Sequence, residues 1–147
     1  MTDQTMIASE LARDCRDRML SRDAATRSLG ITVEVNEPGN ATAQLEVTPS
    51  MINGFGVCHG GYLFALADTA FAFACNSYDR VTFAAGAAIE FLRPVKVGDR
   101  LVAEARERHR GRTQGLYDVT VRDQDGSVVA LFRGRSHATK RPLLQTD

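Results

Sequence analysis

Residues 62–75 read Tyr-Leu-Phe-Ala-Leu-Ala-Asp-Thr-Ala-Phe-Ala-Phe-Ala-Cys, an almost wholly apolar run whose one charge is Asp68. Ala and Leu favour helix, and no Pro interrupts the run. Extended over residues 59–78, the helix would be roughly 20 residues and about 30 Å long. Apolar residues fall on all its sides, so it should be buried on most faces rather than lie amphipathic on a surface. Upstream, Ile7, Leu11, Cys15 and Met19 recur every four residues, which predicts a helical lead-in over residues 6–29 that ends near Gly30. Ile31, Val33 and Val35 then alternate with polar residues, as do Ala41, Ala43, Leu45 and Val47. Glu37-Pro38-Gly39-Asn40 between them suits a type II turn, so the two strands form a hairpin.

Downstream of the apolar run, strands are expected over 81–92, 101–108, 113–122 and 128–137. Turns at 94–99, at Gly111 and at Asp125-Gly126 separate them. Within 81–92 the large Phe83, Ile89 and Phe91 share one parity, and the small Ala84, Gly86 and Ala88 share the other. Such a small-residue face suits close packing against a helix or a second subunit. Helices and antiparallel strands are segregated, which gives an α+β architecture: one sheet curled round one hydrophobic helix. A single domain over 1–147 is expected, with 1–29 as lead-in and 140–147 as a fraying tail.

Composition narrows the function. The 147 residues suffice for one sizeable core, and 18 basic against 18 acidic residues leave no formal net charge. General attraction to nucleic acid or anionic membrane is therefore not expected. The apolar run is too short to cross a bilayer and has an acid in its middle. Residues 1–10 have no basic-then-apolar leader pattern. Three cysteines, Cys15, Cys58 and Cys75, without paired spacing read as reduced thiols, which points to the cytoplasm.

The candidate chemistry lies where a Gly-rich stretch meets the long helix. Asn53-Gly-Phe-Gly-Val-Cys-His-Gly-Gly61 leads straight into it, and a helix start offers free N–H groups to an oxyanion. Gly60 can donate such a bond to a carbonyl oxygen, or simply be a tight turn that needs Gly. Desolvating Asp68 costs several kcal/mol unless it is paired, so it has either a structural partner or a job as base or nucleophile. Asn53 can orient water or make a turn. His59 can assist at the site or hydrogen-bond the helix start. The hydroxyl of Thr69 can reach the carboxylate or the preceding turn of its own helix. Gly60 and Asp68 are eight residues apart, hence about 12 Å along one helix, so the two cannot meet one reacting carbon within one chain. If both act, they meet across a dimer. Cys58 and His59 are sequence neighbours with no base placed on the sulfur, and His59, His109 and His137 lack metal-ligand spacing. No dinucleotide or P-loop glycine pattern occurs. Arg108, Arg110, Arg112, Arg133 and Arg135 form a basic patch that suits phosphate, although a solvated sheet edge is the commoner meaning of such charges.

Asn53, Cys58-His59-Gly60-Gly61, Leu63-Phe64 and Leu66-Ala67-Asp68-Thr69-Ala70-Phe71-Ala72 resemble the signature of the PaaI-type thioesterases, hotdog-fold enzymes of phenylacetate catabolism. The similarity runs over roughly residues 20–138 and includes Asp79, Glu90-Phe91-Leu92-Arg93-Pro94, Gly98-Asp99, Tyr117-Asp118 and Ala130-Leu131-Phe132-Arg133-Gly134. The resemblance implies a hotdog fold and hydrolysis of aryl-acyl coenzyme A thioesters such as phenylacetyl- or hydroxyphenylacetyl-coenzyme A. It further implies Asp68 as catalytic acid, Gly60 as polarising donor, Asn53 beside them, and a tetramer of two dimers. No metal or redox cofactor would be needed; coenzyme A enters only as part of the substrate. Two other readings remain: a hotdog protein that binds or senses acyl-coenzyme A without turnover, and a hotdog enoyl-coenzyme A hydratase.

Overall fold

The computed structural model describes residues 2–145. Its elements in chain order are helices α1 (Asp3–Leu20) and α2 (Ala24–Ser28), strands β1 (Thr32–Glu34) and β2 (Asn40–Glu46), helix α3 (Gly60–Cys75), and strands β3 (Thr82–Phe91), β4 (Arg100–Arg110), β5 (Gln114–Arg122) and β6 (Val128–Ala138). A short 3₁₀ turn, Pro49–Met51, precedes the Gly-rich loop. The strands form one antiparallel sheet in the order β1-β2-β4-β5-β6-β3. The expected α+β hotdog arrangement is what forms: α3 lies along the concave face and packs on β2, β4 and β5.

Small residues let the helix come this close. Ala41, Ala43, Ala103 and Ala105 point inward from β2 and β4 and are buried beneath α3. On β6 the inward position opposite Phe71 is Gly134, where a Cβ would sit 2.8 Å from the aromatic ring. Phe71 fills that space and touches the rings of Tyr117 and Phe132 at 5.6 and 5.8 Å between centroids. At the hairpin, Gly39 has φ +82°, the left-handed backbone that a type II turn requires of its third residue. Its N–H donates to Ser77 Oγ at 2.7 Å, fastening the turn to the end of α3.

Three boundaries differ from the sequence reading. The lead-in is two helices, because Asp23 caps a new one: its carboxylate accepts from the Thr26 N–H at 2.9 Å and the Thr26 hydroxyl at 2.6 Å. The central helix has 16 residues rather than roughly 20. It stops at Asn76, whose side chain donates to the carbonyls of Ala72 and Thr82 and accepts from the Thr82 N–H, all at 2.9 Å. The segment expected to fray from residue 140 is tied down as far as Leu144. Arg141 O accepts from Val81 N at 2.8 Å, and Leu144 N donates to Asp79 Oδ1 at 2.8 Å. Residues 146 and 147 lie outside the described residues.

β3 is one of the two edges of the sheet, β1 being the other. Residues 83–88 are exposed, with Phe83 56% and Phe91 54% accessible within the chain. The small-residue face anticipated there is covered by no helix of its own chain.

Candidate active site

The loop before α3 is bolted at several points. His59 N donates to Met51 O, Cys58 N to Val95 O, and Asn53 N to Val57 O, at 2.8, 2.7 and 2.8 Å. His59 has extended backbone and is the N-cap: its Nδ1 accepts from Gly61 N at 2.9 Å. Asn53 Oδ1 accepts from Phe55 N at 2.9 Å and Val57 N at 3.3 Å. Both residues therefore shape the loop, which is the plainer of the roles expected for each. Asn53 keeps only its Nδ2 donors available for anything else.

Gly60 is different. As the first residue of α3 its N–H has no acceptor among the described residues. The ring of Phe91, from the end of β3, lies against it so closely that a Cβ on Gly60 would be 2.9 Å from the ring edge. A cleft of about 410 Å³ opens here, walled by Val57, Leu63, Phe91 and Pro94. Gly60 thus lines a mostly apolar cleft that also holds Arg93, and a hydrogen bond to a developing oxyanion in such surroundings is worth more than in water.

Asp68 lies two turns further along α3 and does not line that cleft. Leu63, Leu66, Ala67, Ala70, Phe71 and Ala74 bury one side of the helix. Ala65, Asp68, Thr69 and Ala72 lie on the part-covered remainder. The Asp68 carboxylate makes no hydrogen bond or ion pair to any described residue. Burial alone pushes its pKa above the usual carboxylate range, and no positive charge pulls it back. The structural partner that would have made Asp68 an ordinary buried acid is absent among the described residues. Thr69 does not supply one: its hydroxyl donates to Ala65 O at 2.7 Å, the preceding turn of its own helix.

The chain thus gathers Asn53, His59 and Gly60 at one junction and leaves Asp68 and Thr69 apart from them. Phe91 was not among the expected site residues. It comes from 31 positions beyond Gly60, and no local pattern in the sequence announces that contact.

A family model for the thioesterase superfamily matches residues 55–130. The chain belongs to that superfamily. It is 47% identical over 119 residues to acyl-coenzyme A thioesterase PaaI of Escherichia coli (strain K12), covering 81% of this chain and 85% of the relative. Among solved structures, the E. coli PaaI protein from the phenylacetic acid degradation operon superposes with a TM-score of 0.90 at 43% identity, covering 92% of this chain and 98% of that one. A Streptococcus mutans UA159 protein bound to acetyl CoA matches with a TM-score of 0.72 at 29% identity, over 76% of this chain and 90% of that one.

The basic patch divides in this thioesterase scaffold. Arg133 grips Asp118 through two bonds of 2.6 and 2.9 Å, and Arg108 Nε lies 3.5 Å from the same carboxylate. The Arg133 guanidinium holds Asp118 below the ordinary carboxylate range. Arg110 stacks 3.6 Å over the Tyr78 ring, and Arg135 donates to Ala85 O at 3.3 Å. Four of the five are thus engaged within the chain, in keeping with the commoner meaning of such charges. Among the described residues, no group of three or more His, Cys, Asp or Glu side chains is arranged to hold a metal, and no helix is long and apolar enough to cross a membrane.

Proposed function

We propose that this chain is an acyl-coenzyme A thioesterase that hydrolyses aryl-acyl thioesters, phenylacetyl- or hydroxyphenylacetyl-coenzyme A among them, in sites shared by two subunits. One observation carries the reading. A part-buried Asp68 and the Gly60 N–H, each without a hydrogen-bond partner among the described residues, sit on one helix, about 12 Å apart by helical rise. The thioester oxygen accepts from Gly60 of one subunit. Asp68 of the partner subunit either takes a proton from attacking water or attacks the carbonyl itself, with water then releasing the acid. In either course the C–S bond breaks, and coenzyme A leaves as the thiol with the proton that water supplied. No group beyond substrate, water and protein enters the reaction.

The exposed apolar edge of β3 supports the shared site. Long unpaired edge strands invite pairing with another chain, and Phe91 brings this edge to the wall of the Gly60 cleft. A homodimer joined there, doubled into a tetramer, is the assembly proposed, working in the cytoplasm. Kinship with PaaI and an apolar cleft favour an aryl acyl group.

The test is thiol release from phenylacetyl-coenzyme A and from a straight-chain acyl-coenzyme A, with the wild type beside Asp68→Asn. Rapid release from the aryl substrate that the variant loses supports the proposal. Binding of both esters without release points to a sensor. Consumption of an enoyl ester without thiol points to a hydratase.

A further inference from the structure

On the side of the molecule where the last turn of α1 meets the segment after β6, a second cleft of about 500 Å³ opens. Three arginines line it: Arg18, Arg22 and Arg141. Arg18 Nε is fully buried and has no hydrogen-bond acceptor among the described residues. None of the three guanidinium groups makes an ion pair or hydrogen bond with a described residue. Among the described residues one acid lines the cleft, Asp23, and each of its oxygens accepts a hydrogen bond from Thr26. Asp79, close by in the chain fold, is engaged by the N–H of Leu144. The floor is apolar, with Met19 and Val81.

This pattern runs against what a chain without net charge does with its cations. A buried N–H without an acceptor is destabilising, the more so when it belongs to a charged group. Arg108 and Arg133 pair with a carboxylate at the sheet surface, yet the three arginines lining this cleft pair with none among the described residues. An anion in the cleft meets positive charge from all three, and planar guanidinium forks match the oxygens of phosphate. A carboxylate would be satisfied by one fork; three point to a group of higher charge.

We propose that this cleft is a binding site for a phosphate group, with Arg18, Arg22 and Arg141 as its ligands and the apolar floor receiving the body that carries the phosphate. Two sources share that chemistry: the phosphates of the coenzyme A ester itself, and a free phosphorylated small molecule that binds apart from the reaction.

The test is calorimetric titration of the full chain with inorganic pyrophosphate, with sodium acetate as the control anion. Wild type is compared with Arg22→Ala, Arg141→Ala and the double variant. Both arginines are exposed, and circular dichroism confirms that the variants fold. Saturable pyrophosphate binding weakened at least tenfold in each single variant and lost in the double is the expected result. Thiol-release kinetics then identify the source. A raised KM for acyl-coenzyme A, with no change for the corresponding acyl-pantetheine, assigns the phosphate to the substrate. An unchanged KM assigns it to a separate ligand. Absence of saturable binding in wild type, or binding that survives in the double variant, overturns the proposal. Because binding is read without turnover, that result stands whether or not the thioester is cleaved.

Discussion

At the scale of single residues, the proposed chemistry rests on two groups without a hydrogen-bond partner among the described residues. Asp68 is desolvated without compensation, so its folded pKa is raised above that of the unfolded chain. The folded state therefore holds the proton more tightly. The stability linked to this group is fully present below the unfolded pKa and declines as pH rises through the folded value. Asp68→Asn should accordingly raise the melting temperature at pH 7 while lowering kcat by three orders of magnitude or more, as read by calorimetry and thiol release. A variant that is less stable at pH 7 would show that the acid is paired in the assembled protein. In the wild type, activity that needs ionised Asp68 should fall on acidification at a pH above the ordinary carboxylate range.

Gly60 allows a cleaner deletion. It occupies the first helical position, which tolerates Pro, and His59 before it already has the extended backbone that Pro demands. Phe91 would collide with any added carbon, so Phe91→Ala provides the background. Gly60→Pro in that background removes the N–H and should lower kcat about 10²–10³-fold relative to Phe91→Ala alone, the loss expected for one oxyanion donor. A change of less than threefold would remove Gly60 from the reaction.

At the scale of elements, α3 is held at both ends by side chains, and its length follows from that. Asn76 is buried and satisfies both backbone groups of Thr82, joining the helix end to the start of β3. Asn76→Ala leaves those groups without partners and should cost about 3 kcal/mol in denaturant unfolding. It should also loosen β3, and with it Phe91. The helix and the strands were legible in the sequence because their periods are local: all-round apolarity for α3, alternation for β2 and β4. The break at Asp23 was not: the four-residue spacing ends at Met19, but nothing local after it marks a new helix, and only the cap to Thr26 reveals one. The end of α3 at Asn76 depends on Thr82, a partner six residues ahead, and the anchoring of Leu144 on Asp79 depends on a contact across 65 positions. Helical spacing alone separated Gly60 from Asp68. The unpaired state of Asp68, and the use of His59 and Asn53 as loop fasteners, required coordinates.

At the scale of the whole molecule, β3 is the surface on which the proposed assembly turns. A charge at its centre, Ala87→Lys, should split the dimer in light-scattering measurements and abolish turnover, while the fold within each chain persists. The expectation follows from the exposure of this edge and from the cost of burying an unpaired ammonium.

The shared site is tested most directly by complementation. Two inactive proteins, Asp68→Asn and Gly60→Pro with Phe91→Ala, are unfolded, mixed in equal amounts and refolded together, and thiol release from phenylacetyl-coenzyme A is measured. A mixed dimer has one site that carries both lesions and one that keeps Asp68 and Gly60 intact. Because half the dimers are mixed and each has one such site, in which Gly60 keeps the Phe91 of its own chain, activity should return to about a quarter of that of refolded wild type. Activity no greater than the average of the two parents would mean that each site is built within a single chain.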